Sequence, residues 1–175
     1  ESAEEQAAFD VYDANNINPL YGFFVARAGL GASESMRSKL AEYNDPRLSR
    51  AFITKQGTSG KEQAPGTADN AVYAPNGTPE QGTSKYGTSL FMYSISAPTL
   101  LLSYHELKFL EAEALCRLER DAKSALKDAV VAGLLNAENS FTISRKELGK
   151  TLINAASSIT EAEAESYFDN TIEAK

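Results

Sequence analysis

The chain has 175 residues, 42% of them hydrophobic, and a formal net charge of −7. That length supports one domain with a real core. The acidic balance argues against nucleic acid, whose phosphates need a basic footprint, and gives no support for binding an anionic membrane surface. No apolar run reaches the roughly eighteen residues that a membrane helix needs. The single cysteine, Cys116, rules out an intramolecular disulfide and a zinc site built on several thiols.

The chain opens at ESAEEQAAF, which reads as a trimmed start rather than a native one. Residues 1–16 begin as an alanine-rich charged segment, the end of a helix, and run into Asp10, Asp13, Asn15 and Asn16. Those oxygens suit calcium in kind. The central glycine and distal glutamate of an EF-hand are missing, so a solvated turn is the simpler reading. Residues 19–30 carry Leu20, Tyr21, Phe23, Phe24 and Val25 with no clear period, and are expected to be extended and buried until Gly29 and Gly31 break them. Ser33 is placed to cap a short helix with Met36, Leu40 and Tyr43 on one face. Asn44-Asp45-Pro46 ends it, because the residue before a proline avoids helical geometry. Arg47 is expected to pair with Asp45 or another acid as a structural clamp.

Residues 55–89 differ in character. Six of the 11 glycines and three of the six prolines fall there, among Thr, Ser, Asn and Gln. Few apolar side chains are available to offset the entropy of ordering, so the segment is an irregular loop. Its two aromatic residues are Tyr73 and Tyr86. An aromatic face beside amides and hydroxyls is what a sugar surface needs, since a pyranose offers C–H faces to stack and hydroxyls to bond. The simpler reading is that both rings pin the loop to the domain. Asn76-Gly77-Thr78 has the form of a glycosylation sequon but reads better as an Asn-Gly turn.

Residues 90–102 are apolar and extended, and lead into the best-specified helix of the chain. Ser103 and Glu106 form a capping box, and Leu102 and Leu107 occupy the positions of a hydrophobic staple. Leu107, Leu110, Ala114 and Leu118 recur at helical spacing, with Phe109, Ala112 and Cys116 as a second apolar line. Glu113 and Arg117 form an i,i+4 pair. A helix apolar on two sides is expected to be packed on two sides, with Cys116 as a small buried side chain. Asp121 can cap a second helix striped by Ala122, Ala125, Leu126, Ala129, Val130 and Gly133 and running to about residue 136. The pair has the size of a tetratricopeptide hairpin, which buries its faces only by stacking on neighbours. Ser144 with Glu147 marks a third helix start, stapled by Ile143 and Leu148, with Leu148, Leu152 and Ile153 inward. Thr160 with Glu163 marks a fourth, followed by Ala164, Tyr167, Phe168 and Ile172.

Four stretches carry a resemblance. APTLLLSYHELKFLEAEAL (97–115) is similar to the signature helix of the SusD/RagB family, the surface glycan- or peptide-capturing lipoproteins of Bacteroidetes. NPLYGFFVAR (18–27) resembles its Asn-Pro-x-Tyr-x-Phe-Phe segment, NDPRL (44–48) its Asp-Pro-Arg turn, and YAPNGTP (73–79) its Pro-Asn-Gly loop. The order and spacing fit the subgroup of SusD-like proteins without a known ligand. The resemblance implies a mainly α fold of tetratricopeptide-like hairpins with a long irregular loop-rich segment. It also implies that residues 1–175 are one domain, a fragment of a larger protein: 1–54 mixed helix and extended, 55–89 irregular loop, 90–175 helical scaffold. It further implies an outer-membrane, surface-exposed lipoprotein whose lipid anchor is absent from this chain, and a TonB-dependent, SusC-like transporter as partner. The ligand would be an oligosaccharide or a peptide.

No catalytic constellation stands out. His105, the only histidine, has no Cys or Asp near it in sequence to build a triad or metal site, and reads as a structural side chain. Glu106, Glu111 and Glu113 lie close in sequence, but a glycosidase needs carboxylates across a cleft. Glu106 serves the cap, Glu113 faces Arg117, and Glu111 sits on the surface. No nucleophile elbow, P-loop or dinucleotide fingerprint is present. Two functional readings follow, a binding protein and a helical structural or interaction module, with a hydrolase far behind for want of paired acids. Tyr73, Asn76, Tyr86 and Tyr93 are the candidate ligand contacts. No cofactor or metal is expected.

Overall fold

The computed structural model describes residues 6–27, 31–53, 73–77, 86–91, 94–148 and 156–173. In chain order the elements are strand β1 (Ala7–Phe9), helices α1 (Pro19–Arg27) and α2 (Glu34–Glu42), strands β2 (Phe52–Ile53), β3 (Thr88–Ser89) and β4 (Thr99–Leu102), then helices α3 (Tyr104–Arg117), α4 (Lys123–Leu148) and α5 (Glu161–Tyr167). The last runs straight into a π-helical turn at Phe168–Ile172. The molecule is mainly α, as the sequence predicts. The strands form two small antiparallel pairs, β1 with β4 and β2 with β3.

Where a helix end is expected, Ala7–Phe9 is a strand. Ala7 lies opposite Leu102 and Phe9 opposite Thr99, so β1 is held by pairing with the apolar run before α3. Pairing across the chain overrides the helical propensity of the alanines. Asp13 makes the local turn: its Oδ1 accepts from the Asn15 and Asn16 amides at 2.7 and 2.9 Å.

The 19–30 expectation is also corrected. Pro19–Arg27 is helical, and Leu20 and Phe23 lie on its exposed side. The cause is Asn18. Its Oδ1 accepts from the Leu20 and Tyr21 amides at 2.8 and 3.3 Å, and Pro19 sits at the first helical position, where its missing N–H costs nothing. The Asn18 amide group reaches back to the Ala97 carbonyl at 2.8 Å, and its backbone N–H donates to the Ile95 carbonyl at 2.9 Å. This buried cap therefore ties α1 to the approach to β4.

After α2, Asn44 takes a φ of 50°, and Asp45 and Arg47 form the expected clamp. Arg47 donates from Nε to Oδ1 at 2.9 Å and from a terminal nitrogen to Oδ2 at 2.6 Å. Arg50 binds the Pro46 and Ser157 carbonyls and the Glu163 carboxylate, which fastens this turn to the start of α5.

The α3 start follows its sequence signal. Ser103 is buried, and its Oγ accepts from the Glu106 amide at 3.2 Å. The end of α3 is a Schellman turn: the Glu119 amide donates to the Cys116 carbonyl at 3.0 Å and the Arg120 amide to the Leu115 carbonyl at 2.9 Å. Glu119, with a φ of 57°, stands where glycine is favoured. Asp121 accepts from the Lys123 amide at the start of α4, as expected.

The second and third predicted helices are one. α4 runs 26 residues without a break, and Ser144 lies inside it. The S-x-x-E pattern misleads because each hydroxyl in this stretch finds a partner with the helix intact. Ser144 Oγ donates to the Leu90 carbonyl at 2.5 Å, and Thr142 Oγ1 donates to Glu138 at 3.0 Å. Glu147 turns outward and accepts from Ser94 Oγ at 2.7 Å and from the Ile95 amide at 3.0 Å. Leu148 is buried as expected, whereas Leu152 and Ile153 lie outside the described residues. Thr160 caps α5 through the Glu163 amide at 3.2 Å.

One cluster forms the core. It joins Leu40 of α2, Ala51, Phe52 and Ile53 at β2, Tyr73 and Leu90 to Leu134, Ala137, Phe141 and Leu148 of α4 and Ala164 of α5. The organising helix is thus α4, not α3. On α3 only Ala112 is buried among the described residues, and α4 is the element it packs on. Gly133 lets the two helices approach, facing His105 and Phe109. The other apolar line of α3 is open: Leu110 is 54% and Leu118 63% exposed, and Cys116 is exposed rather than buried. Leu102 and Leu107, the staple pair, lie at the surface too.

Candidate functional site

The described parts of the 55–89 segment are two short stretches fixed to the N-terminal side of α2. The Ala74 amide donates to the Ala32 carbonyl at 2.7 Å, and the Glu34 amide donates to the Ala74 carbonyl at 3.0 Å. Ser33 and Ala74 form a parallel bridge. On the other side the Ala32 amide donates to the Gly87 carbonyl at 2.8 Å. Ala32 therefore holds both stretches, and it is itself buried.

Tyr73 and Tyr86 are 8% and 6% exposed. Tyr73 meets Phe52 edge to face, with centroids 5.3 Å apart and planes at 88°. The Arg37 guanidinium lies over the Tyr73 ring, 5.8 Å from the centroid, and is held there by Glu34 at 2.6 Å. Burial raises the Tyr73 phenol above its ordinary value, and the nearby Arg37 charge opposes that rise. Both rings are thus buried in this arrangement, Tyr73 against Phe52 and Arg37. Asn76 is exposed at the edge of the same segment. Its Nδ2 donates to Ser35 Oγ at 2.7 Å, and Gly77 completes the turn with a φ of 77°. Tyr93 lies outside the described residues. The structure thus brings Tyr73, Asn76 and Tyr86 to one patch around Ala32, with Asn76 exposed at its edge.

A concavity, which the sequence gives no signal for, lies along α4. It has a volume of about 450 Å³, an apolar floor of Val131 and Leu135, and polar walls that include Gln6, Tyr104, Asn136 and Asn139. Strand pairing creates it, because β1 carries Gln6 to the start of α3, where its Oε1 faces the Tyr104 amide. Residues so far apart in sequence show no spacing that would reveal them.

His105 stands between this cleft and a smaller one containing Asp45, Arg47 and Tyr167. Its Nε2 is 3.3 Å from Ser103 Oγ, and its buried Nδ1 has no hydrogen-bond partner among the described residues. Burial lowers its pKa, with the Arg47 charge acting the same way and Glu106 opposing. A neutral, half-buried imidazole with no carboxylate bonded to it is a packing group here. Among the described residues no cluster of His, Cys, Asp and Glu is arranged to hold a metal.

Residues 1–140 match the SusD-like family described as starch-binding and associating with the outer membrane. A SusD/RagB family protein from Bacteroides thetaiotaomicron is 60% identical and superposes with a TM-score of 0.90 over 99% of this chain and 37% of its own. A SusD homologue from Bacteroides fragilis shares the fold at 19% identity, with a TM-score of 0.70 over 100% of this chain and 38% of its own. A chitin-binding protein does so at 19% identity, with a TM-score of 0.67 over 97% and 36%. Among curated proteins nothing matches. The chain spans little more than a third of the length of these solved relatives. With the family match across residues 1–140 and the 60% identity across nearly the whole chain, this chain belongs to the SusD-like family.

Proposed function

We propose that the protein is a surface-exposed outer-membrane lipoprotein that binds nutrient, capturing an oligosaccharide or a peptide for import through a TonB-dependent, SusC-like transporter. The observation that carries the reading is the patch around Ala32. There Tyr73 and Tyr86 are buried, and Asn76 is exposed beside them with its Nδ2 donating to Ser35 Oγ. A loop held on a stiff scaffold is the usual place for a binding surface. An exposed amide can both donate to and accept from a sugar hydroxyl or a peptide bond. The starch-binding description of the family favours carbohydrate over peptide. In this reading Asn76 and Tyr93 contact ligand, while Tyr73 and Tyr86 act by fixing the loop.

The test is a glycan-array and peptide-pool screen on the wild-type chain and on Asn76→Ala and Tyr93→Ala variants, each checked by circular dichroism. Saturable binding that weakens in the folded Asn76→Ala variant supports the patch and names the ligand class, and weakening in Tyr93→Ala adds Tyr93 to the contacts. Binding that neither variant alters places the ligand elsewhere. No binding by the folded wild type favours a second reading, a helical interaction module. That alternative rests on the open leucines of β4 and α3, a face suited to packing against another protein surface.

A further inference from the structure

The Asn76-Gly77 turn has a chemical property that is independent of what the loop binds. Asn76 is exposed, and among the described residues none has an atom within 4 Å of the place where a Gly77 side chain would stand. The backbone nitrogen that follows Asn76 is therefore open to approach. Gly77 also has a φ of 77°, so the turn is of the kind that only a residue without a Cβ adopts readily. Ala74, at the start of the turn, is bonded to the backbone of Ala32 and Glu34.

We propose that Asn76 is a site of spontaneous deamidation, which converts this neutral edge of the patch into an anionic one. The Gly77 amide nitrogen, having lost its proton to hydroxide, attacks Cγ of Asn76. The new N–C bond closes a five-membered succinimide, and the side-chain nitrogen leaves as ammonia, taking a proton from water. Water then opens the ring at either carbonyl. One opening gives aspartate; the other gives isoaspartate, with the main chain routed through the former side chain. Water and hydroxide are the only co-reactants, and no oxidant or reductant is involved.

The surroundings set both the rate and the consequence. Ser35 Oγ accepts from Nδ2 at 2.7 Å and so restrains the amide, which slows ring closure. In the aspartate product the contact survives with its direction reversed, Ser35 donating to the new carboxylate. In the isoaspartate product the added methylene lengthens the chain between Ala74 and Gly77 and pulls the carboxylate from Ser35. Asn136, Asn139 and Asn170 lie within helical segments and are followed by Ala, Ser and Thr, whose side chains shield the next nitrogen. They serve as internal controls.

The experiment is peptide mapping by mass spectrometry after incubating the folded chain at 37 °C and two pH values. The expected result is a gain of one mass unit at Asn76, several-fold faster than at the control asparagines and faster at the higher pH, with release of ammonia. Ser35→Ala should speed the gain, and Asn76→Gln, whose ring would need six members, should nearly abolish it. Gly77→Ala should slow it, and because that variant is strained at positive φ, the Gln variant provides the independent check. Equal rates at Asn76 and the helical asparagines, or a rate unchanged by Asn76→Gln, would overturn the proposal. The readout is covalent mass, so it stands or fails apart from any ligand-binding result.

Discussion

At the scale of single residues, four side chains carry consequences out of proportion to their size. Glu119 occupies the left-handed position of the α3 Schellman turn, where a Cβ is unfavourable. Glu119→Gly should stabilise the protein by about 1 kcal/mol in urea unfolding. Glu138 is buried on α4. Burial pushes its carboxyl up, but donation from the Ile159 amide at 3.0 Å, from Thr142 and from Ser158, with the Arg145 charge, brings it below its ordinary value of 4.5. A depressed folded pKa means stability that is present above pH 4.5 and lost as pH falls through the folded value. His105 adds a loss that begins higher. Burial depresses its pKa below 6.5, so the unfolded chain takes up its proton first as pH falls. Tyr167 acts at the other end. Burial first, and the Asp45 carboxylate second, raise its phenol to about 12, so its contribution is whole below pH 10 and is lost as pH climbs from 10 toward 12. Urea midpoints measured across pH should fall on both flanks. His105→Gln should flatten the loss just below pH 6.5, and Tyr167→Phe the alkaline one.

At the scale of elements, the decisive contact is α3 on α4. A methyl group added at Gly133 would sit 3.9 Å from the Cβ and Cδ2 of His105 and 4.0 Å from Phe109, ordinary contact distances. Gly133→Ala should therefore stabilise the molecule by roughly 0.5–1 kcal/mol through helix propensity, with no clash. Gly133→Leu should part the helices and destabilise, and calorimetry on the two variants should give opposite shifts in Tm. The C-terminal half of α4 holds the approach to β4. Ser144→Ala removes the donor to the Leu90 carbonyl and should cost about 1–3 kcal/mol. Were Ser144 a helix cap, hydrogen exchange in that variant would rise at the amides just after it. With Ser144 inside α4, protection should instead drop around residues 90–96.

At the scale of the whole molecule, the core lies on one side of α4, and the outer face of β4 and α3 is open. Leu101 is 72% exposed. Replacing Leu101 or Leu110 by Gln should change stability by less than about 0.5 kcal/mol, and it should reduce binding of a hydrophobic dye. A large loss in urea unfolding would show that these leucines are packed in solution. The sequence by itself determined what is written in local chemistry. Capping oxygens at Ser103 and Thr160, the Asp45–Arg47 clamp, the Asn-Gly turn and the signature helix act within a few residues, and so they read directly from the chain. It also determined the mainly α class and the family, through motifs that keep their order. Only the tertiary structure decided which helix is central, because periodicity reports that α3 is apolar on two sides but not which side finds a partner within 175 residues. It decided that Ser144 lies inside a helix, since the acceptor that satisfies its hydroxyl is 54 positions away. It decided that Ala7–Phe9 is a strand, held by a partner more than ninety residues on. The cleft over α4 and the burial of Tyr73 and Tyr86 belong to the same class. Each depends on which distant surface covers a side chain, and burial of that kind is a property of packing rather than of local sequence.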